Sequence, residues 1–568
     1  MQPHPLDIPE ILAVIGSFLP LWVDPTPNPT CNSNRNHNSK RPPDITDLVF
    51  KPKTILTCLL VSNLWYKTLL PVLWYSYRSG FMDGVPDAVI RRNSPHFRIL
   101  SISQWSFRFF DIAWFECTKL VELNIYLDEG GSSGSVEQDA NRGKDDRHGE
   151  TGETSESSTG RRGKRTEEPE SRAVVPLPDA KRLLRTNPRL KCLSWTGPTR
   201  STTALDVEDL VGLAGLENLS LDRWDCSDGR LDMVLKSVAG SLKVLCVGWI
   251  CGVETGLSSV PLPPVSSASP SSSPPATTPG ATALQSLREK PRNGVDNGRS
   301  NTTDIWMLPR LEELVWSGGD LDDEYLSELV KRCPKLKNVT LYVNHGGWDF
   351  DRLAASLGNY CPDIETLEVD PVIETFEVET LIRHCSPNRP QLRKLRIAVN
   401  GPNELGLVSA ILPHASTLED FEIYRTQEET DGPLYLRLLV ACSRLTRFAF
   451  FSRAAPFDVE FLETLKQERW GCCERLRELS LDLGFFHKYR KQTRAERVET
   501  KALLSEVGGW VEVKAVEEEG GGDYDEYEVE PFDMVKLRQV LELVQLQELE
   551  LEVLILDEVE FWRNRPIS

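Results

Sequence analysis

A six-residue phrase, Leu-x-x-Leu-x-Leu with conservative exchanges, recurs along this chain and limits what it can fold into more than any other feature. It starts at Leu120, Leu190, Leu216, Leu242, Leu311, Leu336, Ile364, Leu392, Leu418, Leu445, Leu476 and Leu546, with a weaker copy at Phe97. The starts at 190, 216 and 242 are 26 residues apart, and those from 311 to 445 are separated by 25, 28, 28, 26 and 27. Self-similarity at a period of this size marks a solenoid, in which each repeat buries its apolar face only against its neighbours. The Leu-x-Leu alternation predicts a short strand. The apolar residues three or four apart between phrases, such as Leu326, Leu329 and Val330 or Leu231, Val234, Leu235 and Val238, predict a helix. The expected fold class is therefore α/β: parallel strands on the concave side of a horseshoe, helices on its convex side.

Three steps, from 120 to 190, from 242 to 311 and from 476 to 546, exceed the ordinary period by about 43 residues each. The excess falls at about 130–172, 253–304 and 487–531, where the chain turns Gly/Ser/Glu-rich, Ser/Pro/Thr-rich and acidic in turn. Such compositions bury too little apolar area to offset chain entropy, so they are expected as disordered insertions in a solenoid over 95–560.

Thirteen cysteines could suggest disulfides or zinc. Yet Cys117, Cys333, Cys361, Cys442 and Cys473 each stand three residues before a phrase, and no Cys-x-x-Cys occurs. A spacing that follows the repeat predicts small buried fillers, with no metal site. Phosphate-cradling, zinc-peptidase and serine-elbow motifs are absent, so no enzyme activity and no cofactor are expected. His345, His384 and His414 fall near repeat turns and are expected to be solvated. A net charge of −20 argues against nucleic acid. No apolar run of eighteen residues predicts a membrane span, and no secretory signal is evident; a cytoplasmic or nuclear location with reduced thiols is expected.

Ahead of the repeats, residues 1–80 read as a small helical domain. Pro9 suits a first helical turn, and Ile11, Leu12, Ile15, Phe18 and Leu19 form one apolar stripe. A second helical segment spans Ile55 to Tyr66 and a third ends in Leu69-Leu-Pro-Val-Leu-Trp74. A Pro/Asn/Ser-rich insertion, about 24–44, separates the first from the second. So small a helical set leaves large apolar residues over for a partner.

The phrases preceded by Arg332-Cys-Pro-Lys and Tyr360-Cys-Pro-Asp resemble the cysteine-containing class of leucine-rich repeats, and the resemblance covers about 97–556. The N-terminal block is similar to the F-box: Ile8-Pro9-Glu10-Ile11, Val61-Ser-Asn-Leu-Trp65 and Leu73-Trp74 take the places of that family's motifs. This resemblance implies docking of a Skp-family adaptor through Leu6, Pro9, Ile11, Leu12, Ile15, Leu59, Val61 and Trp65, and through the adaptor a cullin–RING ubiquitin ligase. The solenoid would then hold a protein target. Residues alternating with the core positions should line the concave face, where Tyr342, Asp370, Arg396, Tyr424 and Phe451 are expected in one row as the target surface. A plain leucine-rich-repeat scaffold with an N-terminal cap, and an F-box protein acting outside ubiquitination, stand as alternatives.

Overall fold

In the computed structural model the described residues are 8–18, 22–23, 49–50, 52–79, 82, 85–103, 115–126, 178–197, 205–224, 230–248, 306–318, 323–343, 348–385, 391–401, 404–425, 432–452, 466, 469–481, 502–503, 510–513, 534–547, 549, 551–556 and 559–563. The insertions expected at about 24–44, 130–172 and 253–304 lie outside them, as does most of 487–531. The chain forms two compact units, Met1–Cys226 with Leu245–Gly252, and Ser227–Val244 with Val253–Ser568. Both are α/β, built of strands joined by helices.

The first unit opens with three helices, Pro9–Phe18, Lys53–Leu59 and Asn63–Leu73. The segment expected as one helix over 55–66 is broken at Ser62. That residue is extended, and its hydroxyl accepts a hydrogen bond from the Trp65 amide (3.2 Å), so it caps a new helix. Trp65 consequently belongs to the third helix, which runs through Pro71. Leu12, Ile55, Leu59, Leu69 and Leu73 fill the space between the three helices. Gly16 lets the first helix approach the third, since a Cβ there would lie 2.6 Å from Leu69. Between the first two helices, Trp22–Val23 and Val49–Phe50 pair antiparallel, Trp22 opposite Phe50.

The third helix leads straight into a strand, Ser76–Arg78, which pairs in parallel with Ile99–Ser103, placing Tyr77 beside Leu100. Trp74 and Tyr77 thus occupy core positions of a repeat that precedes the copy at Phe97, and their rings pack on Phe97 (centroids 6.3 and 5.3 Å). The helical block therefore does not end before the sheet; a boundary at 80 cuts through its first repeat. Glu122–Tyr126, Cys192–Thr196, Asn218–Asp222 and Val244–Gly248 follow in sheet order. Asn187 stands three residues before its phrase, where other repeats have Cys. Its amide nitrogen donates to the carbonyls of Cys117 and Leu183 (both 2.8 Å), and its oxygen accepts from the Leu120 amide (2.7 Å). A buried turn with these carbonyls and this amide needs such a partner.

In the second unit Glu313–Gly318, Asn338–Val343, Thr366–Glu374, Lys394–Asn400, Asp420–Arg425, Arg447–Ser452, Glu478–Leu481 and Val553–Leu556 pair in this order, each parallel to the next. Helices Asp323–Val330, Phe350–Tyr360, Thr375–His384, Glu404–Ile411 and Gly432–Ala441 intervene. The phrase leucines are essentially inaccessible throughout. Burying each is worth about 1.5–3 kcal/mol. Cys333, Cys361, Cys442 and Cys473 are buried as fillers, as is Cys117 in the first unit. The Cys361 thiol reaches the Cys333 carbonyl (3.3 Å), and burial pushes the Cys385 and Cys442 thiols up to about 12. His414, expected to be solvated, closes the short turn Leu412–His414 and is buried, because that turn packs inward under the following phrase.

Two expectations near the C-terminus also change. Leu479 and Leu481 pair with Leu554 and Leu556, so the last strand phrase starts at Leu551, not Leu546. Leu546 ends the helix Met534–Leu546 and is 59 % exposed. The run from 546 to 556 holds two overlapping phrases five residues apart, and only the later one leaves room for the helix. Second, Trp510–Val513, inside the insertion expected at 487–531, is a strand. It pairs antiparallel with Val559–Arg563, which pairs antiparallel with Val553–Leu556.

Candidate functional site

Two surfaces carry the residues singled out in the sequence, one in each unit. In the helical block of the first unit, Leu6 lies outside the described residues. Leu12 and Leu59 are core residues of the three helices, so they hold the surface up from beneath rather than line it. Trp65 is half-buried. Pro9, Ile11, Ile15 and Val61 are exposed, Val61 to 62 %. Val14, Leu56 and Leu60 join them, Leu60 at 87 %. Pro52, Lys53, Leu56, Thr57 and Leu60 line a shallow, mostly apolar depression. Three short helices thus leave many aliphatic side chains in water. Leu56 and Leu60 were not singled out from the sequence, although their place one helical turn apart was readable.

On the strands of the second unit, the side chains alternating with the core form a polar face in three rows. Register sets them. The first row holds Glu313, Asn338, Thr366, Lys394, Asp420, Arg447 and Glu478; the second Val315, Thr340, Glu368, Arg396, Glu422, Ala449 and Ser480. Tyr342 is level with Ser317 and Asp370 in a third row; the register shifts after Val369, and beyond that shift Ala398, Tyr424 and Phe451 are level with one another. The single row expected of Tyr342, Asp370, Arg396, Tyr424 and Phe451 therefore divides: Tyr342 and Asp370 lie before the shift, Tyr424 and Phe451 after it, and Arg396 stands one row over from the latter because it is two residues earlier in its strand than Ala398. The structure still brings it to the aromatic group. Its guanidinium lies 5.7 Å from the Tyr424 ring centroid, and Tyr424 stacks on Phe451 (4.6 Å, 15°).

Charge ties the same strands together. Arg396 approaches the buried Glu422 (3.3 Å). Arg447 reaches Glu478 (2.5 Å) and Asp420 (3.1 Å), and also pairs with Glu422. Lys394 pairs with Glu368. Burial, then Glu422, raises the pKa of the Tyr424 hydroxyl, so it stays protonated. Burial opposes the charge on Arg447, but Glu422, Asp420 and Glu478 outweigh it and raise its pKa. A network whose members are paired in this way fixes side-chain positions on the face. Behind it, Arg425 and Glu404 form a buried ion pair, and Arg425 also donates to the Gly401 carbonyl (3.2 Å). Gly401 has φ +114°, which favours glycine. Neither Arg425 nor Glu404 follows the repeat period, so no pattern marked them beforehand.

In the first unit, the residue that strand alternation after Leu219 and Leu221 would place on the corresponding face is turned away. Trp224 is buried and donates from Nε1 to the Leu205 carbonyl (2.9 Å). Arg223, at φ +56°, breaks the strand alternation just before it.

Among the described residues no cluster of three or more His, Cys, Asp or Glu is placed to hold a metal ion, and no helix is long and apolar enough to cross a membrane. A scan against protein-family models finds no match to this chain, and a search of curated proteins finds no relative.

Proposed function

We propose that this protein is a non-catalytic recruiting subunit of a Skp–cullin–F-box ubiquitin ligase, with an F-box at its N-terminus and a leucine-rich-repeat solenoid that holds a protein target. The observation that carries this reading is the set of exposed aliphatic side chains on the three-helix block, Ile11, Val14, Ile15, Leu56, Leu60 and Val61. A helical adaptor would cover them. The fixed polar and aromatic rows on the strands of the second unit supply a separate surface for the target. The chain contributes proximity: it raises the effective concentration of target lysines near a charged conjugating enzyme, with no bond made or broken on its own residues.

A second reading has its own support. The Arg98 and Ile99 amides donate to the Tyr75 carbonyl (2.8 and 3.1 Å), and Trp74 packs on Phe97, so the helices are also joined to the first repeat as a terminal cap would be.

Coexpression with the host's Skp-family adaptor separates the two. Ile11→Asp with Val61→Asp changes only exposed positions, so a cap would keep its packing. The ligase reading expects a one-to-one complex that this pair of substitutions abolishes while the thermal transition is unchanged. No complex with the folded, unaltered chain would discard it and leave the scaffold.

A further inference from the structure

The helical block carries a competing fold in its own sequence. Ile55, Leu59, Ser62, Tyr66, Leu69 and Leu73 recur every three or four residues, the spacing of one uninterrupted helical stripe. The chain does not follow it. The second helix ends at Leu59, and the amides of Leu60 and Val61 donate to the Thr57 and Cys58 carbonyls (3.2 and 3.1 Å), three residues back instead of four. Ser62 is extended. Its hydroxyl and its carbonyl accept from the Trp65 and Tyr66 amides (3.2 and 2.9 Å) and so begin the third helix. Ser62 is the one member of the stripe without an apolar or aromatic side chain.

The break decides what is buried and what is not. Ile55 and Leu59 of the second helix share a core with Leu69 and Leu73 of the third. A helix running straight through Ser62 would put Ile55 and Leu73 about 27 Å apart, at the usual rise per residue, and dissolve that core. Tyr66, which such a helix would turn onto the apolar stripe, is 40 % exposed. The turn also sets Leu60 and Val61 on one side of Ser62 and the half-buried Trp65 on the other. The hydroxyl of Ser62 ties the Trp65 backbone to the turn that carries the two aliphatic side chains.

We propose that Ser62 is a positioning residue of the docking surface. By capping the third helix, its hydroxyl selects the folded-back block over a continuous helix, and so holds Leu60, Val61 and Trp65 as one surface for the apolar side chains of an adaptor. The inference rests on reading this block as an F-box.

The test uses the full chain and the purified Skp-family adaptor of the host, with affinity from isothermal titration. Helix content is followed by circular dichroism, and the peptide over 60–66 by amide hydrogen exchange. In the unaltered chain that peptide should exchange quickly, because the first amides of a helix have no partner within it. Ser62→Leu removes the cap and completes the stripe. It should protect the peptide, keep the helix content and weaken adaptor binding by about tenfold or more, since only the folded-back population binds. Ser62→Ala, which removes the cap alone, should weaken binding by about fivefold. Ser62→Thr and Ser62→Asn keep an acceptor and should bind as the unaltered chain does. Ile55→Val takes one buried methyl group from the block away from the turn; it should lower the thermal midpoint about as far as Ser62→Ala does and leave binding within about twofold. The Ala, Thr and Asn variants decide the outcome where Ser62→Leu does not fold. Equal loss of binding in Ile55→Val and Ser62→Ala, or no rescue by Thr and Asn, overturns the role of Ser62 and leaves the ligase reading standing. No complex with the unaltered chain removes that reading, and this role with it.

Discussion

The helical block and the strands of the second unit solve the same problem with opposite results. In the strands, each phrase leucine is sealed between neighbouring repeats, and what remains outside is charge, hydroxyl and stacked aromatic rings. In the block, helices of 10, 7 and 11 residues enclose only a few side chains, and leucine, isoleucine and valine are left in water. A stack gains a new apolar wall with every repeat, whereas a three-helix set has none to add. Exposed aliphatic residues on the one and exposed polar rows on the other therefore suit partners of different kinds.

Substitutions can break this contrast. The largest effect is expected where charge is sealed in: Arg425→Met leaves the Glu404 carboxylate buried without its cation and should cost about 3–5 kcal/mol in urea unfolding, much of it restored by adding Glu404→Leu. Leu395→Ala, at an inaccessible phrase position, should cost about 2–5 kcal/mol, against less than about 0.5 kcal/mol for Leu60→Ala in the block. Equal costs would mean that Leu60 is not a surface residue. Asn187→Ala should cost about 1–3 kcal/mol, because two carbonyls and an amide lose their partner.

The pH dependence is smaller. Burial lowers the His414 pKa from its usual 6.5, so the unfolded chain takes up the proton first as pH falls. Stability should drop as pH decreases through about 6.5 towards the lower folded value, and His414→Gln should flatten that part of the profile. The smallest effect has the opposite sign: Glu313→Gln, which relieves a disfavoured charge, should leave the thermal midpoint equal or slightly raised at neutral pH.

Where the repeat is spelled in leucine, its strands and their inward residues are legible in the sequence. Legibility failed where the chemistry of the phrase changed. Trp74 and Tyr77 hide a repeat because aromatic residues take the leucine places and a helix runs directly into it. Leu546 misleads because two phrases overlap, and the choice between them depends on where the preceding helix ends. Trp510–Val513 gives no periodic signal at all; its paired residues are 47 or more positions away in the chain. The polar face was readable as a set of alternating positions, but its rows depend on how strands align, and a two-residue offset moved Arg396 out of line. Trp224 shows a single backbone torsion at Arg223 reversing the alternation rule.

The short antiparallel pair of Trp22–Val23 with Val49–Phe50 has a practical side. It brings the two ends of the connection between the first and second helices together at one point. With the ends pinned there, the length of what lies between them adds little to the free energy of folding, about 0.6 kcal/mol for each doubling. That makes the position a socket: a fluorescent reporter or an affinity handle inserted between Val23 and Val49 should leave the pairing of Trp22 with Phe50, and the helices, as they are.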